Sequence, residues 1–136
     1  MKRNYNFMAE HNDIGKKGED LTVSFLMKQG FSILERNFHV REGELDIVAE
    51  KDKTLHCVEV KTIKVRDCSS IENLRIRPED NLTQEKYKKL RITFEMFKKS
   101  RNVASETREQ IDLACVYLDT ERRQARIKIL HNVQLE

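Results

Sequence analysis

Residues 55–63 read LHCVEVKTI, and this stretch decides the fold. Leu55, Cys57, Glu59 and Lys61 alternate with His56, Val58, Val60 and Thr62, the period of a strand whose successive side chains leave on opposite faces. Glutamate and lysine are rarely buried unless paired or bound to something, yet here they stand among Val, Cys and Thr. Two positions apart, Glu59 and Lys61 share one face. A carboxylate and an amine so placed can serve a metal ion and its bound water. The carboxylate ligates, and the ammonium stabilises developing charge or, with a lowered pKa, accepts a proton. Exposed strands carry many such pairs, so Glu-x-Lys alone does not select that reading.

Upstream, Leu45 to Ala49 alternates as a second strand, and the polar stretch Lys51-Asp52-Lys53 joins the two as a hairpin. Asp46 stands thirteen residues before Glu59. Register decides whether the two carboxylates meet. A three-residue loop closed by Glu50 and Thr54 would set Asp46 opposite Val58, on the wrong face. A bulge, or a loop of two or four residues, would bring Asp46 beside Glu59. Two carboxylates and a lysine are what magnesium uses, together with waters and substrate phosphate. The alternative for Asp46 is a surface aspartate at a strand start.

A first helix is expected from an N-cap at Asn12 or Asp13 to Gly30 as the residue past its end. Its inner stripe is Ile14, Gly18, Leu21 and Phe25. Glycine inside a helix costs up to about 1 kcal/mol relative to alanine, so Gly18 points to close approach of another backbone. The adjacent Glu19 can face the sheet and hold a metal-bound water. Equally, it can be a first-turn glutamate favoured by the helix dipole.

Phe31 to Phe38 is a further strand. Residues 64–81 are polar and long enough to be functional or mobile. A second helix is expected from Thr83 to about Arg101, with Tyr87, Leu90, Phe94 and Phe97 as its stripe. Ile111 to Leu118 is apolar on both faces, as a central strand would be, and Ala125 to Leu130 is a weaker edge strand. The order α-β-β-β-α-β-β gives an α/β fold, a mixed central sheet flanked by at least two helices.

The 136 residues fit one domain spanning 1–136, with residues 1–11 as a flexible tail. Charged residues reach 36%, so most of the surface is ionic, but 26 basic against 23 acidic residues leave only +3. Residues 82–101 alone hold seven Lys/Arg and two acids, a local +5. Phosphate backbone suits such a stripe, with Lys86, Lys89 and Lys98 off the apolar face; a solvated charged face is the alternative. No apolar run reaches the roughly 18 residues of a membrane span. Three scattered cysteines, Cys57, Cys68 and Cys115, form no CxxC pair, which argues against a zinc or disulfide framework and for a cytoplasmic location.

Taken in order, GKKGED, ILERNF, GELDIV, VEVKT and LTQEKYKKL resemble the successive motifs of the YraN family of small bacterial predicted endonucleases. That family is similar to Holliday-junction resolvases of the PD-(D/E)XK, restriction-endonuclease-like superfamily. The resemblance covers residues 13 to about 118. It implies the α-β-β-β-α-β nuclease core, with the last strand here an extra C-terminal edge. It further implies Asp46 and Glu59 as metal ligands, Lys61 as the catalytic lysine, Glu19 as the helix-borne carboxylate and Lys86 as the basic residue opening the second helix. Gly43-Glu44-Leu45-Asp46 matches the family's GEID box, with no role evident for Glu44. The family commonly continues VKTR and a Phe-Gly loop; here Ile63 follows Thr62, and residues 64–81 lack glycine. Gln110-Ile111-Asp112 stands where an Arg-Phe-Asp is usual.

The expectation is therefore a Mg²⁺-dependent endonuclease, with Mn²⁺ as a substitute, acting on nucleic acid: DNA, with branched DNA as one candidate form. The alternatives are a non-catalytic nucleic-acid-binding protein that keeps the nuclease fold, and a domain whose basic helix meets an acidic protein. Resolvase-like proteins act as dimers, which makes a homodimer a candidate assembly, although no exposed apolar helix declares an interface.

Overall fold

Asp52 and Lys53 both take positive φ, +51° and +63°, and Lys51 pairs with Thr54. The hairpin between β2 (Gly43–Lys51) and β3 (Thr54–Lys64) therefore closes with two residues, not three. Positive φ at both central positions matches the turn to the right-handed twist of the strands. In this register Ile47 faces Val58 and Val48 faces Cys57, so its continuation sets Asp46 opposite Glu59.

The computed structural model describes residues 3–69 and 82–135, with backbone only for residues 3–12. The remaining elements are α1 (Arg3–Lys28), β1 (Ser32–Val40), α2 (Gln84–Ser100), β4 (Arg108–Asp119) and β5 (Gln124–Leu130). One sheet runs β1-β2-β3-β4-β5. β3 and β4 are parallel and the other neighbours antiparallel, so the sheet is mixed, as a restriction-endonuclease-like core requires. β3 is its middle strand, β4 an interior strand one place from the edge, and β5 the edge. Most of the 64–81 segment falls outside the described residues.

The helix starts differ from expectation in one case. α1 begins at Arg3, well before Asn12 or Asp13, and takes in most of the stretch expected as a tail. No glycine or proline precedes Gly15 to stop it. Glu19 is consequently deep inside the helix, and the first-turn dipole reading of it fails. The other end is as expected. Gly30, at φ +94°, donates to the Met27 carbonyl while Phe31 donates to Leu26, a Schellman closure that suits glycine. α2 begins after Thr83, whose hydroxyl accepts from the Lys86 amide at 3.2 Å.

Each helix covers one face of the sheet. Tyr87, Leu90, Thr93, Phe94 and Phe97 of α2 are buried, and they pack with Leu45, Val48, Leu55, Cys57 and Ile111. On the opposite face, Leu26 of α1 packs with Ile47, Ala49, Val58 and Ala114. Gly18 lets α1 approach β3: a β-carbon there would fall 2.9 Å from Thr62 Cβ and closer still to its Oγ1.

One irregularity prepares the site. Leu45 belongs to the α2 side and Ile47 to the α1 side, although positions two apart on a regular strand share a face. The same happens opposite them. Arg36 reaches Asp20 of α1, whereas Phe38 packs with the α2 cluster. The paired register passes over the residues between, Asn37 and Asp46, and Asn37 takes φ +53°, a conformation asparagine tolerates. Both strands roll over at this point.

Candidate active site

Where β2 rolls over, its ladder with β3 stops at Ile47 and Val58. The next acceptor for β3 is a side chain: the Val60 amide donates to Asp46 Oδ2 at 2.9 Å. That bond holds the Asp46 carboxylate across the strand gap, where it is hydrogen-bonded to Glu59. The two carboxyl groups expected to meet do meet. Burial, the hydrogen bond to Asp46 and the Asp46 charge push the Glu59 carboxyl up to about 9, against the pull of the Lys86 ammonium.

Glu19 joins them from α1. Burial and the charge of Asp46 raise its carboxyl above the ordinary range, while Arg36 and a hydrogen bond with Asn37 act the other way. Gly18 therefore has a second consequence. By letting α1 sit against Thr62, it sets the next residue near the strand carboxylates. Asn37 carried no sequence signal beyond the tolerance of asparagine for positive φ.

Lys61 is exposed on the same face of β3 as Glu59. A cavity of about 380 Å³ is lined by Gly43, Glu44, Glu59, Lys61, Lys86 and Lys89 among others. Lys86 and Lys89 of α2 thus look onto the same space as the carboxylate and the lysine of β3. Glu44 lines it too, and its carboxylate lies 2.8 Å from His39 Nδ1 at the surface.

Lys98 does not join this group. It is expected to be solvent-facing, but its side chain is only 16% exposed. It is ion-paired with both Glu95 and Glu109 and lies over the Phe94 ring. The two carboxylates outweigh the cost of burial and hold its ammonium above the ordinary range. Arg101 is likewise committed, to Glu35 at 3.0 Å. Lys98 and Arg101, at the far end of the +5 stretch, are tied into the fold, and the basic residues of α2 at the cavity, Lys86 and Lys89, come from its first turns.

The donors that converge here, Asp46 and Glu59 with Glu19 beyond, are all carboxylate oxygens. Such hard donors suit Mg²⁺ or Mn²⁺ rather than a thiophilic metal. Two adjacent carboxylates repel each other unless a proton or a cation stands between them. The donor set therefore fits a divalent ion held by Asp46 and Glu59. Among the described residues no helix is long and apolar enough to cross a membrane.

Comparison with known proteins points one way. The model of the family described as "Uncharacterised protein family UPF0102" matches residues 18–127. The chain is 40% identical over 119 residues to a UPF0102 protein of Campylobacter lari, covering 88% of this chain and 91% of that one. It is 37% identical over 121 residues to one of Campylobacter fetus, with the same coverage. A shorter match, 60% identical over 55 residues, links it to a UPF0102 protein of Flavobacterium psychrophilum, of which it spans just under half, 46%.

Proposed function

The chain belongs to the UPF0102 (YraN) family, and from that premise we propose that it is a Mg²⁺-dependent endonuclease that hydrolyses phosphodiester bonds in DNA. The observation that carries this reading is the meeting of Asp46 and Glu59 across two strands, with Glu59 lining a cavity that Lys61 and Lys86 also line.

Asp46 and Glu59 would hold the cation. When bound, it supplies positive charge against the scissile phosphate and lowers the pKa of a coordinated water. The residues of the chain do the rest. Lys61, exposed to solvent on the Glu59 face, orients the attacking water at its Nζ and stabilises charge developing on the phosphate. Glu19 accepts hydrogen bonds from water at the α1 side. Lys86 and Lys89 hold the substrate backbone over the cavity by phosphate contact. Binding by phosphate alone carries no sequence information, so shape selects the substrate, and four-way or flapped DNA is the form proposed. A homodimer would present two such sites to one branched substrate.

The test is a cleavage assay over linear, nicked, flapped and four-way DNA with Mg²⁺ and with Mn²⁺, beside Lys61→Ala and Asp46→Asn. Metal-dependent cleavage lost in both variants is expected. Tight DNA binding without cleavage under every metal condition would replace this reading with the non-catalytic alternative.

A further inference from the structure

A second group of ionisable side chains lies on the α1 face of the sheet and takes no part in the proposed endonuclease. Asp112 of β4 is fully buried. Its Oδ2 lies 2.7 Å from His56 Nδ1 of β3 and 3.3 Å from His131 Nδ1, just past the end of β5. One donor atom from each residue lies within 4.8 Å of the other two. The opposite carboxylate oxygen, Oδ1, is fixed by Gln110 Nε2 at 2.8 Å and by the Asn132 amide at 2.9 Å.

We propose that His56, Asp112 and His131 form a binding site for a divalent transition-metal ion of the Zn²⁺ class, separate from the carboxylate site. Three elements distant in sequence deliver two imidazole nitrogens and one carboxylate oxygen to the same point. Tetrahedral zinc with bonds of about 2.0–2.1 Å spaces its ligands roughly 3.3 Å apart. The Asp112–His131 separation already has that value, the His56–Asp112 contact needs to widen by about 0.6 Å, and the two imidazoles, within 4.8 Å of each other, need to close by up to about 1.5 Å.

The surroundings match what such an ion requires. A ligating carboxylate is normally oriented by further hydrogen bonds, which Gln110 and Asn132 supply from the side away from the imidazoles. His56 and His131 also line a cavity of about 510 Å³ with Phe31, Thr54 and Gln110. It leaves room for a water as fourth ligand, and the half-exposed His131 gives the ion a way in. Two imidazoles select Zn²⁺, Co²⁺ or Ni²⁺ over Mg²⁺, so the two sites differ in the metal they prefer.

Co²⁺ is the probe, because tetrahedral coordination gives it visible absorption bands, with Zn²⁺ as competitor. The full chain should bind one Co²⁺ with those bands, and Zn²⁺ should erase them. His131→Gln, at a half-exposed position, should weaken binding by about tenfold or more. His56→Gln should do the same where its circular dichroism remains native; if it fails to fold, His131→Gln alone decides. Asp46→Asn/Glu59→Gln should keep the cobalt bands. Three results would overturn the site: no stoichiometric Co²⁺ or Zn²⁺ binding, unchanged affinity in His131→Gln, or loss of the bands in the carboxylate double variant.

Discussion

The Val60 amide donates to Asp46 Oδ2 at 2.9 Å, in the position where the backbone ladder between β2 and β3 has just ended. A side chain thus replaces a backbone acceptor. The same bond that satisfies Val60 carries the Asp46 carboxylate onto Glu59, so the site is made by the strand separation rather than added to it.

The first prediction concerns pH. Glu59 titrates at about 9 in the folded chain, against an ordinary value of 4.5. Between those values the folded protein keeps a proton that the unfolded chain has lost, so it binds more protons than the unfolded state. Stability of the metal-free protein must then fall as pH rises through that window, and level off outside it. Glu59→Gln removes the titrating group and should flatten this part of the profile. Urea denaturation in the presence of a chelator, from about pH 5 to 9, measures both.

Divalent ions should act on the same pair. A cation bound between Asp46 and Glu59 in the folded state alone stabilises it, by about 2.7 kcal/mol at a concentration one hundred times its Kd. The expected result is a melting temperature several degrees higher with saturating Mg²⁺ or Mn²⁺. Asp46→Asn should lose that rise. A wild-type melting curve indifferent to both ions would count against the carboxylate site.

Much of this geometry is legible in the sequence, for reasons that particular residues make plain. A strand's period is set by the backbone, so the shared face of Glu59 and Lys61 follows from alternation alone. The hairpin register does not, because Asp52-Lys53 lacks the glycine that marks a two-residue primed turn. Helical spacing places Lys98 off the Tyr87/Phe94 stripe but cannot show Glu109, on another element, reaching it. Asp112, His56 and His131 are even less accessible to sequence reading: 56 positions separate the first pair, and only the fold brings them together.

The basic helix separates binding from chemistry. Lys86→Gln with Lys89→Gln should weaken DNA binding across sequences. It should also reduce the slope of log K against log salt by up to about 0.9 per lost duplex contact. Lys98→Gln should leave both unchanged, because its charge is already spent on Glu95 and Glu109, and should lower stability through the loss of both pairs. Lys61→Ala should abolish cleavage while keeping most of the affinity. Fluorescence anisotropy over a salt series, beside the cleavage assay, reads binding and chemistry in all three variants, and a melting curve reads the stability of Lys98→Gln.

Gly18 provides the last test, because it joins stability to the site. Alanine is the better helix former by up to about 1 kcal/mol, but at this position its methyl would run into Thr62. Rotating the threonine can swing Oγ1 out of the way, but Cβ does not move with χ1 and stays 2.9 Å away. Overpacking of this kind costs roughly 1–3 kcal/mol, so the clash should outweigh propensity and Gly18→Ala should lower the melting temperature. Gly15→Ala on the same helix meets nothing within 4 Å and should raise it. Thr62→Ala removes Oγ1 and Cγ2 but not Cβ, so combining it with Gly18→Ala should recover only part of the loss, a coupling of about 0.5–3 kcal/mol between the two positions. Moving α1 off β3 also moves Glu19 from Asp46. In the Gly18→Ala protein, cleavage should therefore fall further than the unfolded fraction explains, and Gly15→Ala should leave cleavage intact.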